Sequence, residues 1–138
     1  LGAVLLRERA WVDLGFLLAT FAGSAIAVAL LKDWFGRARP DIGSAVELPS
    51  SASFPSGHAT AAVASLGAAA VLIAERLPPG RTRVVLWTIF VAAGCLAIGL
   101  SRIALNVHYV TDVLAGYCLG LAWLAACLLA RERLRASG

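Results

Sequence analysis

A chain of 138 residues with 60% hydrophobic and 14% charged side chains is far more apolar than a soluble domain, which runs to roughly 45–50% apolar and about 25% charged. A mean hydropathy of +0.84 excludes disorder, since disordered chains combine low hydropathy with high charge. What the composition leaves is an integral membrane protein, and the formal charge of +4 has to be read in that setting.

The first six residues, Leu1 to Leu6, are apolar but too few to cross a bilayer, and Arg7-Glu8-Arg9 follows them. They read as the tail of a preceding helix that lies outside this chain. A short interfacial stretch is the alternative, and no small-residue cleavage pattern follows that would mark a signal peptide. Four uncharged runs come next: Leu14 to Leu31, Ala59 to Ala74, Val84 to Leu100 and Val113 to Ala130, of 18, 16, 17 and 18 residues. Crossing about 30 Å of hydrocarbon takes roughly 17–25 helical residues, so the expectation is an all-α integral membrane bundle with four spanning helices. None of the runs alternates between lipid-facing and lumen-facing residues as a barrel strand does. Residues 1–138 read as one domain.

The long connection, Gly36 to Pro55, carries Pro40, Gly43, Pro49 and several serines and reads as loop, while Pro78-Pro79-Gly80 makes a tight turn between the second and third runs. If the helices alternate in direction, Arg7, Arg9, Arg76, Arg81, Arg83, Arg131, Arg133 and Arg135 share one membrane face, against Lys32, Arg37, Arg39 and Arg102 on the other. The arginine-rich face is expected to be cytoplasmic. The basic charge is thus a topology signal, and its spread over separate loops argues against nucleic acid as a partner. Cys95, Cys118 and Cys127 lie in the apolar runs at no metal-ligand spacing and read as small buried hydrophobes. Trp11, Trp34 and Trp87 fall near helix ends, where indoles favour the interface, and Trp123 falls mid-helix as a packing residue. Gly116 and Gly120 are spaced for a close helix approach, within the chain or to a second copy; the oligomeric state is otherwise open.

Three polar clusters interrupt this pattern. Lys32-Asp33-Trp34-Phe35-Gly36-Arg37-Ala38-Arg39-Pro40 closes the first run; if helix persists to Arg39, the two cations stand about two turns apart on one side and can grip an anion, with ordinary snorkelling bases as the alternative. Pro55-Ser56-Gly57-His58 opens the second run, where a serine N-cap and a side-chain-free glycine leave N–H groups and a positive dipole end for an anion. His58 in that first turn is placed to give a proton to a leaving oxygen. Ser101 to Asp112 leads into the last run, and His108 and Asp112 stand four apart; on a helix the carboxylate lies beside the imidazole and accepts its Nδ1–H, leaving Nε2 as a nucleophile. All three clusters belong to one membrane face, and ionisable groups near a bilayer are costly enough to mark a functional site.

These stretches resemble the signature of the type 2 phosphatidic acid phosphatase superfamily: a lysine, six residues and Arg-Pro; Pro-Ser-Gly-His; then Ser-Arg, five residues, His, three residues and Asp. All three parts are present, from Lys32 to Pro40, Pro55 to His58 and Ser101 to Asp112. The resemblance implies that His108 attacks phosphorus and becomes a phosphohistidine, that Asp112 supports it, and that His58 protonates the leaving oxygen and activates the water of the second step. It further implies that Lys32, Arg39, Ser56, Gly57 and Arg102 hold the phosphoryl oxygens. Membrane members of the family have six spanning helices, which fits two further helices before Leu1. Charge is then neutralised by cations and N–H donors, and no carboxylate cluster stands ready to hold magnesium, so no metal and no cofactor are expected.

The function expected is hydrolysis of a lipid phosphate or diphosphate, with polyprenyl diphosphate favoured over phosphatidate or phosphatidylglycerophosphate and head-group choice assigned to the loop from Asp41 to Phe54. Transfer of the phosphoryl group to a lipid or sugar hydroxyl uses the same residues and is the enzymatic alternative. A scaffold that keeps the fold is the other, though it has no need of a nucleophile. Haloperoxidase chemistry is set aside, because that branch is soluble. The expected location is the cytoplasmic membrane, with the site on its outer face.

Overall fold

The computed structural model describes residues 1–40, 43, 50–78 and 80–137. Most of the loop assigned to head-group choice, and Pro79 in the tight turn, lie outside the described residues. A short helix α1 (Gly2–Arg7) precedes four long ones: α2 (Trp11–Phe35), α3 (Gly57–Arg76), α4 (Arg81–Ala104) and α5 (Val110–Ala136). Among the described residues there is no strand, and the four long helices are each long and apolar enough to span a membrane. Each extends past its uncharged run because a helix end at the interface tolerates charge, and at about 1.5 Å per residue each reaches or passes the hydrocarbon thickness. Large side chains such as Leu30, Phe90, Leu100 and Leu129 lie exposed on the bundle's outside, as a lipid-facing surface requires.

Helix α5 is the packing axis. A Cβ on Gly116 would stand 2.7 Å from the backbone oxygen of Ser56, and one on Gly120 would stand 2.8 Å from that of Thr60. No side chain fits at either place, so α3 and α5 touch almost backbone to backbone, the arrangement that small residues permit between membrane helices. The glycine pair is therefore occupied by a contact within the chain. Trp123, also on α5, donates from Nε1 to the Ala19 carbonyl at 3.0 Å and presses its ring on Gly23 of α2, which is the packing role expected of it. Where α5 meets them, α2 and α3 each widen into one π-helical turn, Ala19–Gly23 and Ala62–Leu66.

At the bundle end away from the three signature clusters, charge is paired within the protein. Arg131, 3% exposed, donates from Nε to Asp13 at 2.9 Å and from both terminal nitrogens to Glu75 at 2.8 and 2.6 Å. Arg135 joins the same two carboxylates, and Arg76 links Asp13 to Glu8. Three of the arginines read from the sequence as topology signals thus also tie α2, α3 and α5 together. Beneath them Leu5, Phe16, Ala68 and Leu72 form a buried apolar cluster, so α1 is docked on the bundle. One expectation is corrected: Cys95 is buried and Cys127 partly so, but Cys118 is exposed, because its position on α5 faces outward between the packed glycine faces.

Gly116→Ala forces a methyl group against the Ser56 carbonyl, and overpacking of this kind costs roughly 1–3 kcal/mol. Gly15→Ala, where a Cβ meets nothing within 4 Å, should be neutral or stabilising, since alanine is the better helix former. Thermal melting of the two variants in one detergent checks this: the first should melt below the parent protein and the second at or above it.

Candidate active site

The rim of the bundle is assembled by loops rather than by helical register. Helix α2 stops at Gly36, whose φ of +56° is the left-handed conformation that ends a helix. The chain beyond it is no longer helical, so Lys32 and Arg39 are not aligned along one helix as the spacing predicted. They meet because residues 50–53 fold back over them. Ser53 donates from its N–H to the Arg37 carbonyl at 2.8 Å and from its hydroxyl to the Ala38 carbonyl at 3.0 Å. Lys32 Nζ then donates to the Ala52 carbonyl at 2.6 Å, and Arg39 donates to the Ser51 carbonyl at 3.0 Å and to the Val107 carbonyl at 2.8 Å. A polar cavity of about 530 Å³, lined by Lys32, Arg37, Arg39 and residues 50–52, opens beside them.

Ser56 is the N-cap of α3, but its fully buried hydroxyl makes no hydrogen bond, which corrects the expectation of a side-chain cap. Its backbone N–H is turned away from its own helix and donates to the Asp112 carbonyl at 3.0 Å, docking α3 on the start of α5. Gly57 follows at the first helical position, and His58 projects from the first turn into the open. The charges of Arg102, Lys32 and Arg39 all act on the His58 ring. Arg102 sits in the last turn of α4, with Nε donating to Ser101 Oγ at 3.1 Å. The three signature clusters therefore share one rim, as expected.

His108 is not on a helix. It lies in the turn before Tyr109, the N-cap of α5, and is 4% exposed. Its Nδ1 stands 3.5 Å from Asp112 Oδ2, within reach of the charge, yet has no aligned hydrogen-bond partner. The expected Nδ1–H bond is thus present as a loose contact. The reason is local: Oδ2 already accepts the Tyr109 N–H at 3.0 Å, completing the helix cap. On the other side of the ring, Arg39 Nη1 lies 3.5 Å from Nε2. A guanidinium can only donate, so Nε2 faces it with its lone pair and the proton belongs on Nδ1, toward the carboxylate. Burial first, then the charges of Arg39 and Lys32, push the His108 pKa from 6.5 down to about 4 against the opposing pull of Asp112. The imidazole is neutral at physiological pH, with a free Nε2 in a cationic rim.

Sequence reasoning passed over Arg37. It donates to Asp112 Oδ1 and to Thr111 Oγ1, both at 2.8 Å, and its guanidinium lies 4.2 Å from the centre of the Tyr109 ring. No spacing pattern marked it, since two residues from Arg39 is not one face of a helix. Also unforeseen were the carbonyls of Ser51, Ala52 and Val107, which no side-chain pattern announces.

Residues 13–136 match the PAP2 superfamily. Phosphatidylglycerophosphatase B of Bacillus subtilis is 36% identical over 116 residues, covering 83% of this chain and 55% of its own. Decaprenylphosphoryl-5-phosphoribose phosphatase of Mycobacterium tuberculosis (strain H37Rv) is 41% identical over 125 residues, 87% of this chain and 62% of its own. Lipid A 1-phosphatase of Rhizobium johnstonii is 35% identical over 124 residues, 83% and 46%. The chain thus spans about half to three-fifths of the length of these relatives. The crystal structure of a transmembrane PAP2-type phosphatidylglycerolphosphate phosphatase from Bacillus subtilis superposes with a TM-score of 0.79 at 30% identity, covering 95% of this chain and 70% of that one. The chain belongs to the PAP2 superfamily and is a multi-pass integral membrane protein.

With two histidines in the chain, His58→Gln leaves His108 as the only imidazole to titrate. Nitrogen NMR of that variant in detergent should give a midpoint near 4 for His108, and a midpoint at or above 6.5 would show that burial and the two cations do not act on it. The sign for stability follows: between 6.5 and about 4 the unfolded chain takes up a proton that the folded one refuses, so this residue's contribution falls as pH drops through that window.

Proposed function

We propose that this PAP2 membrane protein is a lipid phosphate phosphatase that works through a phosphohistidine on His108. The observation that carries the reading is the buried, neutral His108 with its Nε2 lone pair facing the Arg39 guanidinium, a nucleophile beside a cation suited to the anion it must attack. In the first step Nε2 bonds to phosphorus as the bond to the lipid oxygen breaks, and His58 gives that oxygen a proton. In the second, water attacks the same phosphorus, His58 takes its proton, and inorganic phosphate leaves as the phosphorus–nitrogen bond breaks. Asp112 faces the imidazolium formed in between.

Lys32, Arg39 and Arg102 hold the phosphoryl oxygens, together with the unpartnered Ser56 hydroxyl and the N–H groups at Gly57. These donors neutralise the transferring group without a metal ion, since their positive charge and N–H dipoles sit where the negative charge builds. The substrate is an amphiphilic phosphate or diphosphate whose head group reaches the rim while its tail stays among lipids. Support for that class comes from the exposed apolar flanks of the helices and from the relatives, whose names specify phosphatidylglycerophosphate, decaprenylphosphoryl-phosphoribose and lipid A. Within it, polyprenyl diphosphate is the first substrate to test. The arginine-rich end lies in the cytoplasm by the positive-inside rule, which puts the rim on the outer face of the cytoplasmic membrane.

Phosphate release by the purified protein in detergent should persist in excess EDTA with polyprenyl diphosphate, phosphatidate or phosphatidylglycerophosphate, and His108→Ala should abolish it. Loss of release on chelation would sink the metal-free reading. His58→Ala should slow the monoester phosphatidate roughly 100-fold or more, the scale of general acid catalysis, but slow a diphosphate less, because a phosphate leaving group needs less protonation. Equal losses on both would count against the acid role.

A further inference from the structure

Arg37 lies outside the residues assigned so far, and its contacts differ from those of Lys32 and Arg39. Those two bind backbone carbonyls, whereas Arg37 binds a carboxylate. Asp112 is fully buried while the Arg37 side chain keeps 40% of its surface exposed, so the arginine is a cation reaching from the rim onto a buried carboxylate. The two oxygens of Asp112 are distinguished by it. Oδ1 accepts Arg37 Nη1 at 2.8 Å, leaving Oδ2 to the Tyr109 N–H and to the edge of His108.

We propose that Arg37 is a positioning residue for phosphoryl transfer, holding the Asp112 carboxylate rotated so that Oδ2 faces His108. The proposal rests on the phosphohistidine reading above. When Nε2 bonds to phosphorus the imidazole becomes cationic, and Lys32 and Arg39, which hold the phosphate, repel it. Asp112 is the anion paired with the ring, and its charge has to be present at that moment. Breaking a buried ion pair leaves the remaining charge uncompensated and free to turn elsewhere. Arg37 prevents this, and its second hydrogen bond to Thr111 and its seat on Tyr109 fix where it stands. Both bonds leave one nitrogen, Nη1, so a lysine ammonium with its three donors can take over much of the contact.

The charges acting on the His108–Asp112 pair are Arg37, Arg39 and Lys32 from α2 and the segment after it. Helix α3 meets it with the Ser56 N–H and carries His58, and α4 carries Arg102.

The test compares Arg37→Gln, Arg37→Lys and His108→Ala on one lipid phosphate in detergent, with kcat and KM measured separately and melting followed alongside. Arg37→Gln should lower kcat about 10–100-fold, the scale on which outer partners that orient a site's ligands act, with KM changed less than about threefold. Arg37→Lys should recover much of kcat. An unchanged kcat in Arg37→Gln, a loss carried by KM rather than kcat, or an Arg37→Lys no better than Arg37→Gln would each overturn the proposal. Should Arg37→Gln not fold, Thr111→Val decides, since it loosens the guanidinium but keeps its charge. A smaller loss in kcat with KM unmoved supports the role, and an unchanged kcat removes it. Turnover surviving in His108→Ala would remove the phosphohistidine reading itself, whereas an inactive His108→Ala beside an unaffected Arg37→Gln would remove only the role of Arg37.

Discussion

A carboxylate with no exposed surface at the boundary of a bilayer has to be surrounded by donors, because desolvation of an unpaired charge costs several kcal/mol. Asp112 meets that constraint by drawing three separate pieces of chain together. Arg37 arrives from the segment after α2 and the Tyr109 N–H comes from the start of its own helix, while its backbone carbonyl takes the Ser56 N–H from the head of α3. The pieces that satisfy one buried residue are the same pieces that carry the three polar clusters. Their convergence on one rim is thus held in place by the chemistry of that single site, as well as by the packing beneath it.

That packing works by close approach rather than by bulk. In lipid there is little hydrophobic drive to press helices together, so contact distance decides how well they hold. Gly116 and Gly120 let α5 reach the backbone of α3, and Gly116 does so at Ser56 itself. The height at which the start of α3 sits relative to His108 is therefore set by a glycine about one turn of helix beyond Asp112. At the far end, the Asp13, Glu75, Arg131 and Arg135 network fixes the same helices a second time, leaving the bundle pinned at both membrane faces.

The rim divides its cations by what they bind. Lys32 and Arg39 rest on carbonyl oxygens, weaker partners for a cation than an anion is, while Arg37 rests on a buried carboxylate that it cannot easily leave. His108 stands between Arg39 and Asp112, with the lone pair of Nε2 toward the guanidinium and the Nδ1 proton toward the carboxylate that Arg37 holds. In the proposed reaction this polarity is what makes one imidazole a nucleophile, while the low pKa of the ring follows from its burial first and then from Arg39 and Lys32.

The membrane class, the four spanning helices and the membership of one rim were legible in the sequence, because run length and charge placement are properties that a bilayer reads directly. The pattern of spacing that links Lys32, Arg39, Ser56, His58, Arg102, His108 and Asp112 was legible along the chain too. Their geometry was not. Helical register predicted Lys32 above Arg39 and His108 above Asp112, and in both cases the helix ends or begins between the partners, at Gly36 and at Tyr109. What brings them together is folding back of residues 50–53 and the capping of α5. Arg37 was in plain view in the sequence but had no pattern to mark it, because a residue that acts by compensating a buried charge is defined by the burial of its partner. Composition and spacing are one-dimensional and determine which chemistry is available; which donor faces which acceptor depends on where chain segments far apart in sequence are packed, and only the tertiary structure decides that.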